Sequence, residues 1–283
     1  MKSIMDKKNV VGMATGEKWI NGKPTGQKAT LVFVEKKEPL SDLDPKDVIE
    51  SSIDGIPTDV VGKTGRLNAM VRVNPRKRIR PVLAGLSVSH RKVTAGTIGA
   101  VCIDKDKDIV ILSNNHVLAN SNNASAGDLI YQPGTYDNKK LKRNAIGYLK
   151  DFVRLRNGVN QDSAIAKLKV RYKTQINRLG KIRGVRNAVI RLRVYKSGCT
   201  TGLTKGRVIA KGGTFKVWYT DKKAYTITGC IVTNYMSDGG DSGSLLVDKR
   251  RWAMGLLFAG SNTVTLYSPL KRVLAHYGLR ILK

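Results

Sequence analysis

A serine stands among glycines in "MSDGGDSGSLLVD", residues 236–248, just before a strand-like apolar run. Glycine there lets the backbone turn sharply and brings N–H groups close to a ligand without obstruction by Cβ. A serine hydroxyl is a weak nucleophile at neutral pH. To attack a carbonyl it needs an imidazole as base and a carboxylate that fixes the tautomer of that imidazole. Residues of both kinds are present: His116 follows an apolar run in "ILSNNHVLAN", and Asp162 precedes another in "NQDSAIAKL". His116, Asp162 and Ser242 follow one another at intervals of 46 and 80 residues. "GDSGS" is a specific signal, expected at about one start position in a million from ordinary residue usage. Asp128 in "AGDLIY" and Asp151 in "LKDFV" are rivals for the carboxylate. Asp128 lies only twelve residues past the histidine and Asp151 sits mid-strand, so Asp162 is preferred.

These residues need elements that bring them together. From about residue 85 the chain reads as short β-branched runs punctuated by Gly, Asn and Asp, first from "GTIGAVCI" to "DSAIAKLKV", then from "NAVIRLRVYKSG" to "NTVTLYS". Roughly a dozen short strands in a row predict sandwiches or barrels. His116 and Asp162 fall in the first series and Ser242 in the second, so the three meet only in a cleft between the two. A C-terminal amphipathic helix is predicted in "SPLKRVLAHYG", with Ser268 as N-cap, Gly278 as stop, and Leu270, Val273, Leu274 and Tyr277 on the face toward the barrels. Residues 1–73 read as a small α/β unit. Its strand-like pieces are "NVVGMATG", "ATLVFVEKK" and "IPTDVVG", and its helix is predicted to start at Asp44 and Pro45. Residues 74–85, with two prolines and four close basic residues, read as a linker, leaving 86–180 and 181–283 as the two halves of the β region.

Bulk properties exclude other classes. Hydrophobic residues make up 41% of the 283, a globular proportion, and no apolar run approaches a membrane span. The opening "MKSIMDKKNVVGMATG" lacks the continuous apolar stretch of a secretory signal. Cys102, Cys199 and Cys230 are odd in number and widely spaced, which predicts reduced thiols and a cytoplasmic location. The three histidines are too dispersed to suggest a metal site, and no cofactor is expected. The net charge of +30 is uneven: residues 1–70 hold 11 basic and 10 acidic residues, whereas between Asp162 and Asp221 there are 15 Lys or Arg and no acid.

Taken together, "SNNHVLA", "DSAIA", "GDSGS" and "GLLFAGS" resemble the trypsin/chymotrypsin-like serine proteases. The pieces "FVEKKEPLSDL", "IDGIPTDVV", "RPVLAGLSVSH", "YQPG" and "KSGCTTGLTKGRV" extend the resemblance to the narrow-leaf-type trypsin-like proteases of bacteria and plants, over nearly the whole chain. The resemblance implies a mainly β fold, a chymotrypsin-like double β-barrel. It also implies a catalytic triad of His116, Asp162 and Ser242, an oxyanion hole from the Gly240 and Ser242 N–H groups, and a substrate-facing strand edge at Phe258, Ala259 and Gly260. Two features depart from it. Cys199 in "KSGCTTG" stands where relatives are expected to carry arginine, which puts a role for that hairpin in doubt. No "IVGG"-like N-terminus precedes the first barrel, so Asp241 needs a partner other than a newly cleaved amino group.

The expected function is therefore a serine endopeptidase acting on protein or peptide substrates without a cofactor. The rival is a catalytically weak module binding nucleic acid or another polyanion through residues 167–216. Aromatics are sparse in "RYKTQINRLGKIRGVRNAVIRLRVYK", which argues against dedicated single-strand recognition, and "VIRLRVYK" reads as a strand with one charged, solvated face. "GEKWINGK" has the wrong spacing for a phosphate loop. His90 is expected as a solvated loop residue, His276 as a complement to the helix dipole, and Cys102 and Cys230 as small buried residues.

Overall fold

The computed structural model of the chain describes residues 3–21, 23–65, 77–137 and 143–283. Its first sheet is built from the first series of β-branched runs. Ala100–Ile103, Ile109–Ser113, Ala164–Leu168 and Ala145–Phe152 are hydrogen-bonded neighbours in that order, and the sheet continues through Leu129–Tyr131 to Ser87–His90. Residues of these strands close on a core that includes Val88, Val101, Ile111, Leu112, Ile130 and Ile165. Val82–Ala84, inside the stretch read as linker, is instead a strand paired with Tyr172–Ile176, and Val82 is wholly buried in that core. Its apolar VLA triplet outweighs the prolines and charges before it; residues 74–76 lie outside the described residues.

The second sheet runs Arg193–Gly198, Leu245–Asp248, Trp252–Gly260, Val264–Pro269, Lys223–Asn234 and Gly202–Thr220. The two pieces read as separate strands, "KGRVIAKGG" and "FKVWYT", form the single 19-residue strand Gly202–Thr220, whose pairing shifts register on either side of Gly213. This strand extends the sheet into the N-terminal unit. It pairs with Val10–Ile20, which pairs in turn with Lys23–Val34, and Ile56–Val61 lies parallel beyond. Val11, Ala14, Leu31 and Phe33 share one core with Phe215, Val217, Phe258 and Leu266. The rings of Phe33 and Phe215 lie 5.2 Å apart. Burial of each such side chain contributes about 1.5–3 kcal/mol, so this unit braces the strand that carries Phe258.

The helix predicted from Asp44 is only the 3-10 turn Pro45–Asp47. Asp44 does cap it, accepting from the Lys46 N–H at 3.1 Å, but Val48 is already extended. Asp47 turns back to accept from the Lys8 N–H at 2.9 Å, and no apolar stripe at helical spacing follows to reward continuation. The C-terminal helix forms over Leu270–Tyr277 and ends at Gly278 with φ 62°. Leu270, Val273 and Tyr277 are buried in a core to which strands of both barrels contribute. Pro269, not Ser268, occupies the N-cap, because the Ser268 hydroxyl accepts from the Asp162 N–H at 3.1 Å.

Candidate active site

The residues singled out by chemistry converge where the two barrels meet. His116 lies in the single helical turn Asn115–Leu118 that follows the strand Ile109–Ser113. Asp162 precedes the strand Ala164–Leu168, which pairs directly with Ile109–Ser113. This neighbourhood brings the Asp162 carboxylate to His116 Nδ1 at 2.6 Å. The carboxylate is wholly buried, and further donors satisfy it: the Asn115 N–H at 2.7 Å on Oδ1 and the Tyr219 hydroxyl at 2.9 Å on Oδ2. Below it, the Tyr277 hydroxyl donates to the Ser163 carbonyl at 2.9 Å and accepts from the Val153 N–H at 3.1 Å, so the C-terminal helix holds the Asp162 loop. His116 Nε2 is buried and has no hydrogen-bond partner among the described residues.

Ser242 sits in the turn before Leu245–Asp248, and this turn is held by both barrels. The Ser242 carbonyl accepts from the Thr97 N–H at 2.7 Å. Gly243 has φ 99°, and a Cβ there would collide with the Thr97 carbonyl and the Ser113 hydroxyl, so the second glycine of "GDSGS" permits the first barrel to close on the turn. The Ser242 hydroxyl lies 3.5 Å from the Phe258 carbonyl, and no hydrogen bond joins it to His116. The Gly239 carbonyl accepts from Thr200 Oγ1 at 2.5 Å, and that of Gly240 from Thr97 Oγ1 at 2.8 Å and Cys199 Sγ at 3.0 Å. With these carbonyls tied to the interior, the Gly240 and Ser242 N–H groups donate to nothing among the described residues. Two free N–H donors on one turn can receive an oxygen bearing negative charge.

Asp241 points the other way, into a buried ion pair. Its carboxylate meets Lys196 Nζ at 2.8 Å, and both side chains are fully buried. The Thr200, Thr201 and Asp238 N–H groups and the Thr201 hydroxyl donate to the same carboxylate, and Lys196 also donates to Thr201 Oγ1 and, at 3.1 Å, to the Gly202 carbonyl. Burial pulls the Lys196 ammonium below the usual lysine range, opposed by the charge of Asp241. The hairpin "KSGCTTG" thus braces the turn despite its cysteine. Lys196 lies on the inward face with Val194, opposite the charged face that carries Arg193.

Other expectations change in the same way. His90 is buried, not solvated: Nδ1 accepts from the Lys92 N–H and Nε2 lies 3.2 Å from Asp128, with burial lowering the imidazole pKa. Asp128 therefore serves His90, and Asp151 caps the Phe152 N–H at 2.7 Å; neither reaches His116. Phe258 packs its ring in the core, so only its backbone faces Ser242. Ala259 is buried, and the open side of Gly260 faces Ser237 Oγ and Thr265 Oγ1, which are hydrogen-bonded to each other at 3.0 Å. Met236 is buried next to them, its N–H donating to Thr265 Oγ1. His276 is exposed in the last helical turn. Cys102 and Cys230 are buried free thiols, and burial pushes that of Cys230 up to about 12. Among the described residues no cluster suited to a metal ion occurs. Tyr219, Lys196 and Thr97 are the site's unforeseen members. Tyr219 had no signal in the sequence, being 57 residues from Asp162 on a strand whose length and bulges were not legible.

No protein-family model and no curated protein matches the chain. Solved structures do. Nocardiopsis protease superposes with a TM-score of 0.55 at 18% identity, covering 71% of this chain and 99% of its own. Thermobifida fusca protease A gives 0.54 at 18% identity, over 71% and 98%. Cellulomonas bogoriensis chymotrypsin gives 0.53 at 21% identity, again over 71% and 98%. This chain has the double β-barrel fold of the trypsin-like serine proteases.

Proposed function

We propose that this chain is a serine endopeptidase. The observation that carries the reading is the buried Asp162–His116 pair, 2.6 Å apart, whose outer nitrogen has no partner among the described residues, in the same barrel whose Thr97 holds the Ser242 turn. A rotation of the Ser242 hydroxyl from the Phe258 carbonyl toward Nε2 assembles the nucleophile. Ser242 Oγ then attacks the scissile carbonyl while His116 takes the proton. Asp162 holds the imidazole with its proton on Nδ1 and stabilises the imidazolium that forms. The Gly240 and Ser242 N–H groups receive the oxyanion, each such donor contributing about 3–4 kcal/mol. His116 protonates the leaving amine, and water repeats the sequence on the acyl-enzyme. The backbone of Phe258–Gly260 pairs with the substrate, and the side chain before the cut enters beside Gly260 toward the Ser237 and Thr265 hydroxyls. The Lys196–Asp241 pair sets the turn from within, so the site needs no proteolytic clipping to form. The odd number and wide spacing of the three cysteines favour a reducing, cytoplasmic setting; among the described residues no helix is long and apolar enough to cross a membrane.

Treatment of the folded protein with a fluorophosphonate probe, read by intact mass, tests this. One adduct on the wild type, absent from Ser242→Ala and strongly slowed in His116→Ala, is expected. A wild type that stays unmodified, or a Ser242→Ala protein modified as fast as the wild type, would overturn it.

A further inference from the structure

On the outer face of the second barrel, Arg193 stands directly opposite Arg207 and Tyr195 opposite Lys205 in the antiparallel pair Arg193–Gly198 and Gly202–Thr220. The intervening Val194 and Lys196 point inward, so three cations and one aromatic ring share one outward face. Like charges opposed across a ladder destabilise it. Among the described residues no carboxylate lies within ion-pair distance of Arg193, Lys205 or Arg207, so their charge is uncompensated within the protein.

The N-terminal hairpin turns this face into a cleft. Arg191 grips Glu17 through two hydrogen bonds, which ties up that carboxylate and joins the strand Val10–Ile20 to the start of this ladder. The next residues bring in Trp19, whose backbone N–H donates to Asp59 Oδ2 at 2.9 Å and which is 44% exposed. The resulting cleft holds about 540 Å³ and is lined by Trp19, Arg193, Tyr195, Lys205, Arg207 and Asn234, with no acidic residue. Tyr195 also borders a second hollow of about 600 Å³ that contains Arg178, Arg183, Arg250 and Arg251. Its one carboxylate, Asp248, is held by Arg186 at 2.7 Å. A cationic track with aromatic faces thus runs past Tyr195 through both hollows.

We propose that this track binds single-stranded nucleic acid. Its extent suits a polymer rather than a small anion. Arginine forks and Lys205 match backbone phosphates, and the exposed ring of Trp19 and the half-buried ring of Tyr195 offer stacking faces that an acidic polypeptide has no group to use. Sparse aromatics in the basic segment argued against this binding; the structure supplies the missing ring from Trp19, far earlier in the chain. The inference is independent of catalysis.

The test is fluorescence anisotropy of a labelled oligothymidylate of about 16 nucleotides, titrated at several salt concentrations. Arg193→Gln with Arg207→Gln removes two phosphate contacts and should flatten the log–log salt slope by about 1.4, from roughly 0.7 per contact on a single strand. Trp19→Ala should weaken binding about tenfold without changing the slope, and Trp19→Phe should retain most of the affinity. The control Lys169→Gln with Lys173→Gln removes two equally exposed cations outside the cleft and should change little. Each variant's melting temperature verifies folding. The proposal fails if the control pair weakens binding as much as the cleft pair, if Trp19→Ala has no effect, or if poly-glutamate displaces the oligonucleotide at equal charge concentration.

Discussion

Replacing Tyr219 with phenylalanine removes one oxygen from the candidate site and leaves its packing in place. The Tyr219 ring lies edge-on to His116 at 5.7 Å and tilted against Tyr225 at 5.7 Å, contacts that phenylalanine keeps. The hydroxyl is held protonated, because burial first and the charge of Asp162 second push its pKa well above the usual tyrosine value. It is therefore a pure donor to Asp162 Oδ2, on the oxygen that also faces His116 Nδ1. A hydrogen bond to a charged group contributes about 1.5–3 kcal/mol. Tyr219→Phe should cost about that much in folding stability. It also leaves Oδ2 with the imidazole alone, so the carboxylate that orients His116 is held by one donor fewer. The fluorophosphonate acylation rate should fall by less than about tenfold, equivalent to about 1.4 kcal/mol, because the Asp162–His116 pair itself is kept. The assay is the second-order acylation rate at about pH 8, with urea unfolding measured alongside. An acylation rate that stays in place while stability falls would make Tyr219 a packing residue only. No change in either measurement would refute the reasoning about the buried carboxylate.

Lys196→Met strands the buried Asp241 carboxylate and should cost about 3–5 kcal/mol in urea unfolding, with much of the loss recovered when Asp241→Asn is added. Gly243→Ala places a Cβ against the Thr97 carbonyl at a positive φ, and should abolish fluorophosphonate labelling with a lowered melting temperature. The burial-lowered His90 favours its neutral form in the fold, so its stability contribution is complete above about pH 6.5 and is lost as pH falls through the lower folded value. Melting temperature should consequently fall more steeply between about pH 7 and 5 in the wild type than in His90→Gln. The buried Cys230 thiol should resist Ellman's reagent at about pH 8 until denaturant is added, giving its first signal with the unfolding transition.

Local chemistry was legible in the sequence wherever one short segment carries the whole signal. Alternation and turn residues announced the strands of both barrels, and the amphipathic stripe from Leu270 to Tyr277 announced the last helix. "SNNHVLA" and "QDSAIA" singled out the histidine and aspartate that pair at 2.6 Å, and "GDSGS" the turn whose Ser242 carbonyl accepts from Thr97. What stayed hidden are the groups whose roles depend on contacts between distant segments. Alternation puts Lys196 on the inward face with Leu192 and Val194, but it marks only which face a side chain occupies, not what meets it there; the "DGGD" turn meets Lys196 with Asp241. His90 reads as a loop residue until Asp128 and the Lys92 backbone enclose it. Asp44 caps a turn as its type predicts, yet no helix follows, because Asp47 has a better partner in the Lys8 backbone. Tyr219 and Trp19 reach their positions only because the 19-residue strand Gly202–Thr220 leaves its barrel and pairs with the N-terminal hairpin. Local propensity sets which segments are strands; the edge at which a long strand finds its next partner is decided by the burial available to the whole chain.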